Sequence, residues 1–559
     1  MRKSFTAKSF LLCGAALFLY FVAYCAVAPC SAQDKPAITS ASPGDQDQST
    51  PQNPGQPTYS LSVQAQIVLL DVAVNDAKGQ PVHGLKKDDF TILEDGTPQK
   101  VVSFDAIEPA RVTEGKTIPI HSTAELDRLE PNLPVSIIVL DELTVRFEDE
   151  YFARYSLEKY LSKQGETLDQ PMMLIAQTMD HTNVLHDYTT SKHEILDALK
   201  RHLVGNDWRN NNASFTSEQT GAAFVSLIEV ARATQGHPGH KNLVWIGRGF
   251  PTIPVDGLPT DQVDALKNVI ASCVDILRDA RITLYALDPT GVAAPQQSTN
   301  ETGDIVMDDP LGGQIDFDSM VRATGGQSLH GRNDVDATIG TAVNNGETFY
   351  SLAYHASSPS TEAPKQFRKI QVVLKDPTLI ATAREGYYPA AQEIVGLKDG
   401  TGNKEAAGKL TPRATLDLSA ATSGLMVFDG VPLTIARDTS NNDLFHLSFP
   451  AATAGLAEQD GKFGGDITLI ALSYDKNGKL IGKSGRVISL HLAGLKPGES
   501  ESRKVEISTS VETQSPAARV RFIVRANGNG RIGADNFFLV DRNTLKDPAT
   551  GIKPTTTAH

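Results

Sequence analysis

Residues Pro134-Val-Ser-Ile-Ile-Val-Leu-Asp-Glu-Leu-Thr144 form a short apolar run that ends in an acidic residue. A run without polar alternation predicts a strand buried on both faces, as in a parallel sheet. In open α/β folds ligands bind beyond the carboxyl ends of such strands. Asp141 therefore stands where a site is expected, with Glu142 and Thr144 as further local oxygens. Whether the reading holds depends on strands and helices alternating downstream. Met172 to Thr178, Leu243 to Ile246 and Ile282 to Leu287 are further apolar runs of strand length. Between them lie helical patterns. Tyr151, Tyr155, Leu157 and Leu161 mark one after the opening strand. The capping box Ser191-Lys-His-Glu194 leads a second, with Ile195, Leu196, Leu199 and Leu203 on one face. Phe224, Leu227, Ile228 and Ala231 mark a third, and Val263, Leu266, Ile270, Cys273 and Leu277 a fourth. Residues 130–390 are thus expected to form a doubly wound, Rossmann-type α/β domain.

Upstream, residues 59–110 read as a small β module. Val68, Leu70, Val72 and Val74 alternate, out of phase with Leu61, Val63, Ala65 and Ile67, which predicts a bulge or a switch of sheet near Ile67. Asp76-Ala-Lys-Gly79 and Asp95-Gly96 are turns. The nearby acidic residues Asp88, Asp89, Glu94 and Asp95 lack the oxygen spacing of a calcium loop and read as solvated turn residues. Residues 33–58 carry five prolines among Ser, Gln, Asp and Gly, a composition that cannot offset ordering entropy, and read as a disordered linker. Residues 1–32 have Arg2, Lys3 and Lys8, an apolar stretch from Phe10 to Ala28, then Cys30-Ser-Ala32, the order of a secretory signal peptide. The competing reading is an uncleaved membrane tether. Cleavage after Ala32 would remove three positive charges and shift the formal charge from -14 to -17. It would also leave Cys273 as the one cysteine of four, placed on a helix face as a buried, inert thiol.

Downstream, residues 391–410 form a Gly- and Lys-containing linker, and 411–545 a β-sandwich of immunoglobulin or fibronectin type ahead of a tail at 546–559. Ile467 to Ser473 and Val487 to Leu492 flank an Asn477-Gly478 hairpin turn, followed by Val505 to Val511, Val520 to Val524 and Asn536 to Val540.

The acidic balance and the lack of clustered Lys and Arg exclude general nucleic-acid binding, and 6% aromatic content leaves little for base stacking. His237-Pro-Gly-His240 flanks a turn without a third ligand and reads as an ordinary loop rather than a zinc site. Gly402 to Lys409 lacks the spacing of a phosphate loop, and no Gly-x-Ser-x-Gly elbow occurs.

Several stretches resemble the bacterial, acidobacterial-type von Willebrand factor A-related proteins. These are Val68-Leu-Leu-Asp-Val-Ala-Val74 with Lys86 to Gly96 and Phe104, Pro238-Gly-His-Lys-Asn-Leu-Val-Trp-Ile-Gly-Arg-Gly-Phe-Pro251, Ala323-Thr-Gly-Gly326, Tyr350-Ser-Leu-Ala-Tyr354, Phe367 to Val373, and Ala383-Arg-Glu-Gly-Tyr387. The resemblance implies an A-domain fold. In metal-binding members the first strand runs into Asp-x-Ser-x-Ser, whereas here those positions are Asp141, Leu143 and Val145. Where such domains carry Thr-Asp-Gly, this chain has Gly247-Arg-Gly249. A hard divalent cation needs about six oxygens, so the metal-ion-dependent adhesion site is read as degenerate. Asp141 and Thr144 are its remaining candidates should Mg2+ or Ca2+ bind, and no cofactor is the first expectation. The binding face is expected on the loops carrying Glu142, Arg146, Arg248, Thr252, Asp288 and Thr290. The expected function is a secreted or periplasmic, non-enzymatic adhesion or interaction protein with a protein partner in the envelope or outside the cell. The competing expectation is a secreted carbohydrate-binding protein or hydrolase acting on extracellular polymers.

Overall fold

The computed structural model describes residues 67–541 except 108–117, 145–146, 179–181, 203–212, 251, 254–258, 291–315, 331–333, 346–348, 357–366, 388–410, 460–461, 494–502, 512 and 514–515. The signal segment, both linkers, the tail and the expected bulge strand before Ile67 lie outside the described residues.

Ile67–Asn75 (β1) buries Val68, Leu70 and Val72 and exposes Ile67 and Leu69, as the alternation requires. Phe90–Glu94 (β2) and Thr97–Gln99 (β3) form a hairpin whose two turn residues, Asp95 and Gly96, both have positive φ (48° and 78°). That backbone suits Asp-Gly and matches the twist of the strands. Val101–Ile107 (β4) closes the leading segment.

The α/β unit follows. In order it comprises Thr123–Leu129 (α1), Val135–Asp141 (β5), Phe147–Ser162 (α2), Thr167–Gln177 (β6), Thr182–Ser191 (β7), Lys192–Arg201 (α3), Ala213–Ala233 (α4) and Lys241–Ile246 (β8). Thr260–Asp279 (α5), Ile282–Leu287 (β9), Phe317–Ala323 (α6), Ser328–Leu329 (β10) and Val335–Asn344 (α7) complete it. Its sheet runs β10-β9-β8-β5-β6-β7, parallel except for the edge strand β7. Every residue of β5 is buried. Ile137 and Val139 pack on one face with α4, α5 and α6, while Ile138 and Leu140 pack on the other with α2, α3 and α7. Strand order reverses at β5, which places Asp141 at the switch point of a doubly wound sheet. In α2 the buried face is Ala153, Leu157, Tyr160 and Leu161; Tyr151 and Tyr155 point to solvent.

Phe349–His355 (β11), Arg368–Leu374 (β12), Ile380–Thr382 (β13) and Gly386–Tyr387 (β14) do not extend the α/β sheet. They return to the leading segment and build two four-stranded sheets, β13-β1-β11-β4 and β14-β12-β2-β3. Val68, Leu70, Val72, Phe90, Ile92, Tyr350, Leu352, Tyr354 and Ile370 share their core. The leading module at 59–110 and the α/β domain at 130–390, expected as successive units, are therefore nested. The α/β unit is inserted between β4 and β11 of one sandwich. Strands β1 and β4 do not pair with each other; β11 lies between them and completes the one sheet, while β12 pairs with β2 and extends the other.

The C-terminal part is a sandwich with an addition. Pro412–Ser423 (α8) is a helix where strands alone were expected; Thr411 Oγ1 accepts from Ala414 N (3.1 Å), and Pro412 sits at the tolerated first position. Phe428–Asp429 (β15), Thr434–Arg437 (β16), Leu444–Pro450 (β17), Ala457–Gln459 (β18), Lys462–Tyr474 (β19), Leu480–Ala493 (β20), Lys504–Ser510 (β21), Arg519–Ala526 (β22) and Ile532–Phe538 (β23) follow. They make the sheets β15-β23-β22-β19-β18, with β20 also on β19, and β16-β17-β21. Phe445, Leu447, Phe449, Leu469, Phe522 and Val524 fill the space between. The outer face of the larger sheet, through Ile470, Leu472 and Ile523, joins the same core as Leu416 and Leu418 of α8 and Leu227 of α4.

Candidate functional site at the carboxyl end of the central strand

Asp141 is 1% exposed, and its carboxylate accepts five hydrogen bonds from the described residues. Oδ1 accepts from the backbone N of Leu143 and of Thr144, each at 3.0 Å. Oδ2 accepts from Trp245 Nε1 (2.9 Å), Gly249 N (3.1 Å) and the Thr144 hydroxyl. The Gly247-Arg248-Gly249 loop is glycine-rich for space. A Cβ on Gly247 would lie 2.3 Å from Asp141 Cβ, and one on Gly249, which has φ +64°, would lie 2.3 Å from the Phe317 ring. Burial pushes the Asp141 carboxyl above the usual range, opposed by Thr144, Trp245 and the loop amides.

These donors decide what the two expected metal candidates can do. Asp141 and Thr144 are brought together, but as acceptor and donor to one another. A cation at Oδ1 or Oδ2 would meet N–H and O–H protons, so the donor set does not fit a hard divalent ion. Among the described residues no group of three or more His, Cys, Asp or Glu side chains is arranged to hold a metal.

Glu142 turns inward, with its side chain 2% exposed and Oε1 2.5 Å from His202 Nε2. Glu150, in the first turn of α2, is 5% exposed. Burial, then the charges of Glu142 and Asp141, push its carboxyl up to about 8, against the pull of Arg154. Arg154 Nη2 is engaged by the carbonyls of Leu199 (2.5 Å) and His202 (3.0 Å). Three acidic groups thus gather beneath the loop, enclosed rather than presented.

The outer rim differs. Arg248 is exposed, with Nε 3.7 Å from Asp288 Oδ2, and Asp288 Oδ1 accepts from Thr290 N (2.9 Å). Thr252 is exposed. Arg248, Asp288 and Thr290 are therefore assembled on the carboxyl edge of the sheet. Glu142 leaves that surface, and Arg146 lies outside the described residues.

Sequence reasoning passed over the groups that join the units. His237 and His240, read as an ordinary loop, are buried: His237 lies 3.1 Å from Asp127 Oδ1 and 2.8 Å from the Leu133 carbonyl, and His240 Nδ1 lies 2.9 Å from Asp71 Oδ2. Asp71, in β1, also accepts from Arg281 Nε (2.9 Å), Arg281 Nη2 (2.6 Å) and Ser351 Oγ (2.9 Å). Burial alone would raise its carboxyl, but His240 and Arg281 hold it far below the usual range. A charge inside the apolar strand Val68-Leu-Leu-Asp-Val-Ala-Val74 was the available signal. Lys241 Nζ donates to the carbonyls of His237, Gly239 and Ala280 (2.6, 2.9 and 2.8 Å). Cys273 is a free, buried thiol that burial pushes above its ordinary range.

No protein-family model matches the chain. No curated protein matches it either. Among the described residues no helix is long and apolar enough to cross a membrane.

Proposed function

We propose that the chain is an exported, non-enzymatic interaction or adhesion protein built around a von Willebrand factor A-like domain with a degenerate metal-ion-dependent adhesion site. The observation that carries this reading is the saturation of Asp141. The acidic residue at the switch point holds its own loop together through five donors, while Arg248, Asp288 and Thr290 make a polar rim above it. Loops at the carboxyl ends of parallel strands are where such a fold presents variable binding groups. The signal-like N-terminal sequence supports export to the periplasm, the envelope or the outside of the cell.

Calorimetric titration of the protein with Mg2+, Mn2+ and Ca2+ tests the degenerate site. No stoichiometric heat is expected, and a one-to-one heat abolished by Asp141→Ala would overturn it. Partner capture from envelope and extracellular fractions tests the interaction role. A captured protein that is lost on Arg248→Glu supports it, whereas polysaccharide turnover abolished by substituting a carboxylate would replace it with the hydrolase reading.

A further inference from the structure

A cavity of about 410 Å³ lies where the leading sandwich, the α/β unit and the C-terminal unit meet, well away from the Asp141 loop. Its wall takes Asp71 and Arg384 from the first, Arg278 and Arg281 from the second, and Arg413 and Arg531 from the third. With Arg232, six guanidinium groups line it among the described residues, against three carboxylates: Asp71, Asp275 and Asp279. That excess of three positive charges occurs in a chain whose formal charge is -14.

The carboxylates are already engaged. Asp71 is held by Arg281, and Asp275 by Arg278 Nη1 at 2.6 Å. Asp279 is shared by Arg278 and Arg413, at 3.1 and 2.6 Å. Arg232 pairs behind the wall with Asp417, which Arg525 also contacts, so the charges behind the wall leave the excess unchanged. Arg384 makes no ion pair with a carboxylate among the described residues: Nη2 donates to the Leu69 carbonyl (2.7 Å), and Nε is buried without an acceptor among the described residues. Burial and the neighbouring Arg278 pull its guanidinium down to about 10. Its half-buried guanidinium lies near Arg278 without a carboxylate paired to it, and the repulsion between the two cations is relieved when an anion occupies the cavity. Arg531 stands exposed at the rim, on the turn of Asn529 and Gly530.

We infer that this junction cavity binds a small polyanion, a molecule carrying two or three phosphoryl or carboxylate groups, with Arg384 and Arg531 as its principal unshared ligands. Planar guanidinium forks match both kinds of oxyanion in paired hydrogen bonds, and the volume suits a small organic anion rather than a single inorganic ion. Such a ligand touches all three units at once. Its binding therefore registers as stabilisation of the whole assembly, by mass action on the folded form. The inference is independent of the adhesion reading, since none of these residues belongs to the rim at Arg248.

Thermal unfolding of the full chain tests it, with inorganic pyrophosphate and citrate as probes and sodium chloride matched in ionic strength as the control. Pyrophosphate, citrate or both are expected to raise Tm saturably beyond chloride. Arg384→Gln is expected to raise the half-saturating concentration at least tenfold, and Arg531→Gln severalfold. Response to pyrophosphate alone identifies a phosphorylated ligand, and response to citrate alone a polycarboxylate. No saturable rise beyond chloride for either probe overturns the inference, as does a rise that both variants leave unchanged. Arg384→Gln is checked by circular dichroism; if it does not fold, the exposed Arg531→Gln decides.

Discussion

Asp141 closes β5 and Glu150 lies in the first turn of the helix α2 that follows, and the two differ in what surrounds them. Asp141 has five hydrogen-bond donors; Glu150 has two acidic neighbours and a buried oxygen, Oε1, without a hydrogen-bond partner among the described residues. An acid whose folded pKa lies above its unfolded one holds its proton more tightly when folded. Its contribution to stability is full below about 4.5 and is lost as pH rises through about 8. Glu150→Gln removes that dependence. The variant is expected to gain Tm over the parent progressively between pH 5 and pH 9, and a constant difference across that window would mean Glu150 ionises normally. At this scale the sequence was informative about position and silent about partners. The apolar run placed Asp141 at a strand end, but Trp245 Nε1 reaches it across the sheet from β8, and nothing local to either residue predicts that contact. The Ser191 cap shows the same limit. Ser191 Oγ accepts from Glu194 N as the capping box requires, yet Glu194 turns to Thr189 Oγ1 (2.6 Å) and His121 Nδ1 (2.9 Å) instead of reaching back.

Among the elements, α8 changes the architecture most. It lies between α4 and α5 on one side and β22 on the other, and it is tied to both by charge. Asp417, fully buried, accepts from Arg232 Nε (2.8 Å) and from Arg525 Nε (3.1 Å). Arg521 caps the end of the helix through the carbonyls of Ala421 (2.8 Å) and Met426 (2.7 Å). Asp417→Ala leaves two guanidinium groups buried against each other and is expected to cost about 3–5 kcal/mol in urea denaturation. Replacing Arg232, Asp417 and Arg525 together by apolar residues of similar size should recover most of that loss. A loss well below about 1 kcal/mol on Asp417→Ala would show that α8 is held by its apolar contacts instead. The strands of the α/β sheet were legible because each buried run carries its signal within itself. Helix α8 was not, although Thr411-Pro412 is a helix start; its neighbours in sequence are strands, and its burial comes from partners far along the chain. The alternation of arginines with apolar residues from Arg519 to Arg525 was the matching clue, since a strand with charges on one face and a core on the other must cover both.

For the whole molecule, the nesting of one unit within another is what sequence order concealed. Strand patterns for β1 and β11 were each visible, but their pairing spans the entire α/β unit, and period-two alternation carries no information about which strand pairs with which. The chain leaves the sandwich for the insertion and re-enters it at neighbouring positions, because Ile107 at the end of β4 pairs directly with Phe349 at the start of β11. That adjacency has a mechanical meaning. Tension drawn along the chain from residue 67 towards 541 passes through the sandwich strands and bypasses segment 108–348, which hangs as a closed loop outside the line of force. Single-molecule stretching between the two ends is expected to break the β4 and β11 pairing before the α/β unit yields, and only then to release that segment, roughly 80 nm of chain at ~3.4 Å per residue. A rim carried on such a loop keeps its shape under loads that already strain its scaffold, and the sandwich acts as its fuse.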